Sequence, residues 1–531
     1  MPTFNLADLF EVVVDAATDR EVLVVGDRRL TYGQLDERAN RLANHLAKAG
    51  IGVDDHVGLQ LLNGTEYLEA MIACFKLRAV PINVNYRYVE GELRHLFNDA
   101  QLKALVHHRQ FGPTVDKVRT EVPTLTTFLH VEDRSDATTI DGSVEYEESL
   151  AAADPARPAV GGKSGDDRYI VYTGGTTGLP KGVVWRHEDI FFAALGGGDV
   201  TRMDNWITRP EELAERLQDN AIVALPTPPL MHASAHWLAF HQIFTGGKVV
   251  MTPLGKFDAR LIWELVTAEG VFMVIIVGDA MAKPLIDELA TNGANYATDT
   301  MWVIGSGGAV LSQVNRERIL ELLPNRMIAD GLGASETGTI GNKVGQGGAT
   351  FVLNDQTAIL GDDGLPVGAG ETGRLARRGH IPLGYWNDPE KTSRTFLEAG
   401  GHRWVLPGDL ARVEEDGSVT LLGRGSTSIN TGGEKVFPDE VEAVLKSHPA
   451  IEDAVVVGVP DERWGSRVVA VVSLAGSVAA PSLDAVKEHC RGELAGYKVP
   501  RDLVVVDEVV RSPAGKADYA WAKDAALAAV G

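Results

Sequence analysis

Cysteine, long apolar runs and positive charge are all scarce in this chain. Only Cys74 and Cys490 occur in 531 residues. Far apart, they give neither a zinc-binding spacing nor a disulfide framework, so a reducing cytoplasm is the expected compartment. The longest apolar runs, such as Val271-Phe272-Met273-Val274-Ile275-Ile276-Val277, fall well short of the roughly 20 residues that cross a bilayer. No membrane insertion is expected. The N-terminus mixes Asp8, Glu11 and Asp15 among its apolar residues without a basic leader, and does not read as a secretory signal. Lysine and arginine total 50 against 73 acidic residues, a net charge of −23. That balance argues against nucleic acid or anionic membranes as partners. An anionic ligand must be held by a local positive site.

What is present suits a soluble globular protein: 44% hydrophobic and 23% charged residues. The length calls for more than one domain. Leu30-Thr31-Tyr32-Gly33-Gln34-Leu35 leads into a helical pattern with Leu42, Leu46 and Ala47 on one face. Between 56 and 83, strand and helix signals alternate in a βαβ rhythm, which returns at 221–252 and 271–330 and predicts a parallel sheet. The stretch 152–167 is a loop by composition. After 350, short strands and Gly-rich turns such as Gly361-Asp362-Asp363-Gly364 suggest a small β-rich subdomain. A compact α+β pattern of about a hundred residues follows, enough for a separate domain. The expected fold is therefore α/β. A large N-terminal domain of parallel βα layers with a β-rich subdomain (1–424) precedes a small mobile α+β domain (425–531).

One segment concentrates chemistry. Tyr169-Ile170-Val171 reads as a buried strand and runs into Tyr172-Thr173-Gly174-Gly175-Thr176-Thr177-Gly178-Leu179-Pro180-Lys181-Gly182. Glycines allow close backbone approach, threonine hydroxyls add donors and the lysine adds a positive charge. Together they suit a polyphosphate. In a P-loop, Gly-Lys-Ser/Thr runs straight into a helix; here Pro180 precedes Lys181 and Gly182 follows it, so this is a phosphate loop of another kind.

That segment resembles the signature loop of the adenylate-forming superfamily, which includes the acyl-CoA synthetases. Seven further motifs follow in the superfamily's order. Pro228-Pro229-Leu230-Met231-His232-Ala233-Ser234 is similar to the segment whose histidine borders the acyl pocket. Gly305-Ser306-Gly307-Gly308-Ala309 resembles the loop along adenine. Asp330-Gly331-Leu332-Gly333-Ala334-Ser335-Glu336-Thr337 resembles the segment whose hydroxyl touches the α-phosphate and whose glutamate holds Mg²⁺. Asp409, after Gly408, and Arg424, after Gly423, match ribose-binding positions, with Arg424 also opening the inter-domain hinge. Gly432-Gly433-Glu434 resembles the loop that forms the thiolation tunnel. Lys516, in Ser512-Pro513-Ala514-Gly515-Lys516, matches the catalytic lysine.

The resemblance implies ATP, Mg²⁺ and coenzyme A as cosubstrates, with Lys516, Glu336 and His232 at the reaction centre. Thr173, Gly174, Gly175, Thr176, Thr177 and Lys181 would grip the leaving pyrophosphate, while Gly307, Gly308, Ala309, Asp330, Gly331, Leu332, Gly333 and Ser335 would hold the nucleotide. The attacking carboxylate needs no general base, being ionised at neutral pH. Three positions depart from the usual pattern: Leu332 replaces an adenine-stacking aromatic, Pro407 replaces a threonine, and Ser426 stands near a commonly charged hinge residue.

The acid is expected to be hydrophobic and bulky: long-chain, steroid or terpenoid. Phe191-Phe192-Ala193-Ala194-Leu195-Gly196-Gly197-Gly198 reads either as free volume beside an apolar wall or as a series of turns. With Trp185-Arg186-His187-Glu188-Asp189, this part resembles actinobacterial acyl-CoA synthetases acting on steroid side chains and long-chain acids. A homodimer is the candidate assembly. Still open are an enzyme that hands its adenylate to another ligase or a carrier protein, and a non-catalytic nucleotide- or acyl-binding relative. The presence of both Lys516 and Glu336 argues against the latter.

Overall fold

Two sheets grow from the alternating strands and helices of the first 330 residues. The computed structural model describes residues 1–531 except 174–179, 200–204, 220, 254–256, 310, 345–349, 425–426, 428, 432–433, 462–464, 477, 495, 512–514 and 531. The first sheet has eight strands in the order Gly384–Tyr385, Lys181–Arg186, Arg168–Thr173, Val80–Asn83, His56–Gln60, Ala104–His108, Thr127–Val131 and Val144–Glu145. Its strands from Arg168–Thr173 to Val144–Glu145 run parallel. The intervening helix Thr65–Leu77 is buried along nearly its whole length, as a βαβ crossover packed between layers requires.

The second sheet starts at an antiparallel edge strand, Arg28–Thr31, and continues as a parallel stack: Glu21–Val25, Lys248–Met251, Val223–Pro226, Met273–Ile276, Val303–Gly307 and Met327–Ala334. At Met327–Ala334 the direction changes. The chain turns back into Gly338–Val344 and the sheet continues antiparallel through the short strands of 350–424. This is the β-rich subdomain expected after residue 350. Its core is a small cluster of Ile340, Ile359, Leu375, Ala411 and Val419.

The last hundred residues build their own three-stranded sheet from Ile451–Asp461, Gly465–Leu474 and Asp502–Val506. Alternate residues of these strands serve two cores. Val456, Val468 and Ala470 pack with Val441 and Leu445 of helix Pro438–Lys446 and with Val486 and Cys490 of helix Leu483–Arg491. Val455, Val457 and Val469 pack with Ala522 and Ala526 of helix Tyr519–Val530.

Most local expectations hold. Thr31 caps helix Tyr32–Lys48 in a reciprocal box with Gln34. Leu42 and Leu46 are buried there, but Ala47 is exposed and Ala43 takes the inward place. One residue past Leu46 is a rotation of about 100°, enough to leave the buried stripe. The glycines at 196–198 behave as turns rather than as free volume. All three have positive φ. A Cβ on Gly196 would lie 2.1 Å from the His241 ring, and one on Gly197 2.7 Å from Trp206. Side chains already fill the space beside them. No helix among the described residues is long and apolar enough to cross a membrane.

Candidate active site

The phosphate-loop segment joins a strand to a second strand, not to a helix. Arg168–Thr173 pairs antiparallel with Lys181–Arg186, and Thr173 stands opposite Lys181. Both ends of the loop are thereby pinned by backbone pairing. Gly174, Gly175, Thr176 and Thr177 lie outside the described residues. Lys181 Nζ lies 2.6 Å from Asp388 Oδ2. That contact, helped by the Lys391 amide, holds the Asp388 carboxyl below the usual carboxylate range. Asn83 ties this loop to the His232 segment. Its Nδ2 donates to the carbonyls of Tyr172 (2.8 Å) and Met231 (2.9 Å), and its Oδ1 accepts from the Tyr172 amide (2.7 Å).

His232 stands at the N-cap of helix Ala233–Phe244. Its Nε2 is buried without a hydrogen-bond partner among the described residues. Burial first, then the positive charges of Lys516 and Arg87, push its pKa down to about 4. The imidazole is therefore neutral at pH 7, and Lys516 is close enough to act on it electrostatically.

Adjacent parallel strand ends form the next wall, where open α/β sheets bind their ligands. Ser306 pairs with Asp330 and Gly307 with Gly331. Among the described residues, a Cβ on Gly308 would meet only Val277, at 3.8 Å, and one on Gly331 only the Ser306 carbonyl, at 3.9 Å. This rim, continued by Ala309, leaves room for a flat group against backbone. Asp330 is bonded to Arg316, whose side chain is only 6% exposed. Leu332 packs partly against the small subdomain's apolar cluster.

Ser335 and Glu336 sit in the tight turn between Met327–Ala334 and Gly338–Val344, and this turn is held from several directions. The Trp185 indole donates to the Ser335 carbonyl (3.0 Å) and the Tyr385 hydroxyl to Glu336 Oε1 (2.8 Å). The buried Arg377 guanidinium donates to the carbonyls of Thr337 (2.6 Å) and Thr339 (2.5 Å). Gly333 and Gly338 allow the close approach. A Cβ on Gly333 would lie 2.4 Å from the Gly338 carbonyl, and one on Gly338 2.6 Å from the Ala193 carbonyl. Sequence reasoning missed Asn83, Arg377 and Tyr385, and gave Trp185 no role at this turn. Each comes from a distant segment, and nothing local marks it as a brace.

Asp409 opens a strand directly opposite Arg424 on the neighbouring one. Gly408 before it has φ +101°, a region reserved for glycine. Of Arg424 the backbone alone is described, and Gly433 lies outside the described residues. Lys516 stands in the loop between the strand Asp502–Val506 and the helix Tyr519–Val530, close enough to His232 to act on its charge. Gly515 faces the helix start at Gly278, where its Cβ would lie 3.1 Å from Val277 Cγ1 and 3.8 Å from Ala280 Cβ. Glu336 is a hard, braced carboxylate, and no cluster of three or more ligating side chains occurs among the described residues. A single protein carboxylate suits Mg²⁺, which completes its shell with phosphate oxygens and water.

The comparisons with known proteins agree with this arrangement. Residues 10–386 match the AMP-binding enzyme family, and residues 440–516 match the AMP-binding enzyme C-terminal domain. The chain is 46% identical over 534 residues to a 3-oxocholest-4-en-26-oate–CoA ligase of Rhodococcus rhodochrous, covering 98% of this chain and 95% of that one. It is 46% identical over 533 residues to a medium/long-chain-fatty-acid–CoA/3-oxocholest-4-en-26-oate–CoA ligase of Mycolicibacterium smegmatis, covering 98% and 96%. Its fold matches that of the anthranilate CoA ligase AuaEII in complex with anthranoyl-AMP, with a TM-score of 0.85 at 22% identity over 100% of this chain and 99% of that one. The chain belongs to the AMP-binding enzyme family, in its acyl-CoA ligase branch.

Proposed function

We propose that this ligase activates a bulky hydrophobic acid, a steroid side-chain carboxylate or a medium- to long-chain fatty acid, and that a terpenoid acid of similar bulk is also accepted. The observation that carries the reading is the 46% identity, over nearly the whole chain, to ligases named for those acids. The acid's carboxylate attacks the α-phosphorus of ATP and pyrophosphate leaves. A thiol, that of CoA, then displaces AMP from the acyl-adenylate.

The residues divide the work by charge. Both reactants of the first step are anions, so cationic groups must offset their repulsion. Lys516 serves the α-phosphate, and removing one such donor costs on the order of 10²–10³ in rate. Mg²⁺, which Glu336 would hold, neutralises phosphate charge when bound. Thr173, Lys181 and the intervening loop serve the pyrophosphate end. The backbone rims at Gly307–Ala309 and Gly331–Gly333 receive adenine, with Leu332 offering an aliphatic edge, and Asp409 and Arg424 receive the ribose. Neutral His232 borders the acyl group without adding charge beside it.

Residues 1–424 form the adenylation domain, and residues 425–531 turn about the hinge to present the Gly433 loop for thiol transfer. The contact of Gly515 with Val277 supports an adenylating orientation for the arrangement described here. A panel of fatty, aryl, steroid and terpenoid acids, scored separately for ATP–pyrophosphate exchange and for CoA ester formation, tests the substrate class. Aryl acids outperforming the rest would overturn it. Lys516→Ala should lower exchange by about 10²–10³-fold, to a residual rate that can still be measured, and leave transfer from a supplied acyl-adenylate largely intact.

A further inference from the structure

A lysine on a loop carries about 2 kcal/mol of side-chain entropy, so its usefulness depends on how firmly its backbone is aimed. The peptide joining Gly515 to Lys516 is gripped by one side chain. Arg511 Nη1 donates to the Gly515 carbonyl at 3.1 Å. The rest of the same guanidinium is fixed by a fork: Nε and Nη2 each donate to one oxygen of Asp453, at 2.6 Å. Asp453 is fixed in turn, because it lies in the strand Ile451–Asp461 and its Oδ1 accepts the Ala454 amide at 2.8 Å. Arg511 and Ala517 add an antiparallel bridge across the base of the loop.

An arginine–aspartate pair this exposed, with side chains at 20% and 22%, could simply tie a loop to a sheet. The third hydrogen bond argues for more. A peptide unit is planar, so holding the Gly515 oxygen also sets the direction in which the Lys516 Cα leaves. Gly515 has φ +73°, a conformation a side chain would resist, and its Cα faces Val277 across the domain contact. The chain of contacts runs from the rigid sheet through Asp453 and Arg511 to the one peptide that carries Lys516.

We propose that Arg511, anchored by Asp453, is a positioning residue that aims Lys516 during adenylation and has no part in thiol transfer. The proposal rests on the reading of Lys516 given above. Arg511→Ala should lower kcat for acid-dependent ATP–pyrophosphate exchange about 10²-fold, the order expected when a reacting group is misplaced by about 1 Å. Transfer from a supplied acyl-adenylate to CoA should stay within about 2-fold, because that step does not use Lys516. In a Lys516→Ala background, Arg511→Ala should add no loss beyond about 2-fold, since both act through one group. Arg511→Lys, which keeps the charge but not the fork, covers the case in which the alanine variant does not fold; exchange should fall in the same direction, about 10-fold. Parallel loss of both half-reactions, or a further 10-fold loss in the Lys516→Ala background, would reduce Arg511 to a structural role. Full exchange in Arg511→Ala beside a slowed Lys516→Ala would overturn the positioning role alone. Full exchange in Lys516→Ala would overturn the reading beneath it.

Discussion

Lys446→Met should slow adenylation without slowing thiol transfer. Lys446 Nζ lies 3.6 Å from Asp279 Oδ2, with side chains only 7% and 23% exposed. A second pair, Lys283 with Glu452 at 3.4 Å, is more open at 48% and 33%. Both join the helix Gly278–Asn292 of the larger part to the C-terminal part. Lysine is the partner to change, because Asp279 Oδ1 also accepts from the Ser312 amide and the Asn315 side chain. Methionine keeps much of the apolar stem and removes the charge. Lys446 also faces Glu442, but burial pushes that carboxyl up to about 8, so it is already neutral at pH 7. An exposed pair is worth about 0.2–1 kcal/mol, whereas breaking a fully buried one costs about 3–5. This pair lies between, at roughly 1–2 kcal/mol, a factor of about 5–30 in an equilibrium. Rotation of the C-terminal part would separate the partners, so the loss falls on the orientation that brings Gly515 to Val277. Exchange should drop by up to that factor, while single-turnover transfer from a supplied acyl-adenylate holds or rises. Exchange within 2-fold of the parent, or equal decline of both steps, would refute the reasoning.

Tyr385→Phe removes the hydroxyl that holds Glu336 and leaves the ring under Lys391, whose Nζ lies 4.0 Å from its centroid. Stability should fall by only about 1 kcal/mol, while the Mg²⁺ concentration needed for half-maximal exchange rises several-fold; an unchanged Mg²⁺ titration would detach Tyr385 from that role. Acid should destabilise the fold above the range of ordinary carboxylates. Burial pushes His107, His108, His187 and His236 down to about 4. Each is neutral when folded but binds a proton near 6.5 when unfolded, so stability is lost as pH falls below 6.5, by about 2 kcal/mol per histidine at pH 5. Glu442 acts the other way, because its folded carboxyl, at about 8, stays protonated where the unfolded one does not. It returns about 2.5 kcal/mol between pH 7 and pH 5. The net loss should appear as a clear fall in Tm across that range, and a flat Tm would mean that these histidines are hydrated or already charged.

What was legible in the sequence divides along the range of the interactions. Patterns that depend on neighbours came through. Pro180 before Lys181 excluded a helix start, and the structure has a hairpin there. The βαβ rhythm predicted parallel strands, and the helical pattern after Leu30-Thr31-Tyr32 became the helix Tyr32–Lys48. Glu336 is different. Its local sequence is compatible with a simple turn or helix-end charge, and only the order of motifs along the chain gave it a role. The braces were out of reach altogether. Trp185, Tyr385 and Arg377 lie 150, 49 and 40 residues from the atoms they hold. Each supplies a generic donor to a carbonyl or carboxylate, a task that any segment with a suitable side chain could perform. The glycines at 196–198 show the converse error: small residues imply free space only if nothing else moves in, and His241, Trp206 and Ile207 do. Leu332 is ambiguous for the same reason, since an aliphatic side chain can cover adenine or complete the core of Ile340 and Ile359, and its place against that core is set by strands up to eighty-seven residues further along. The residues that meet a ligand are constrained by the ligand's chemistry and so recur in order. Those that hold them in place are constrained only by where the topology leaves a donor, and so must be read from contacts.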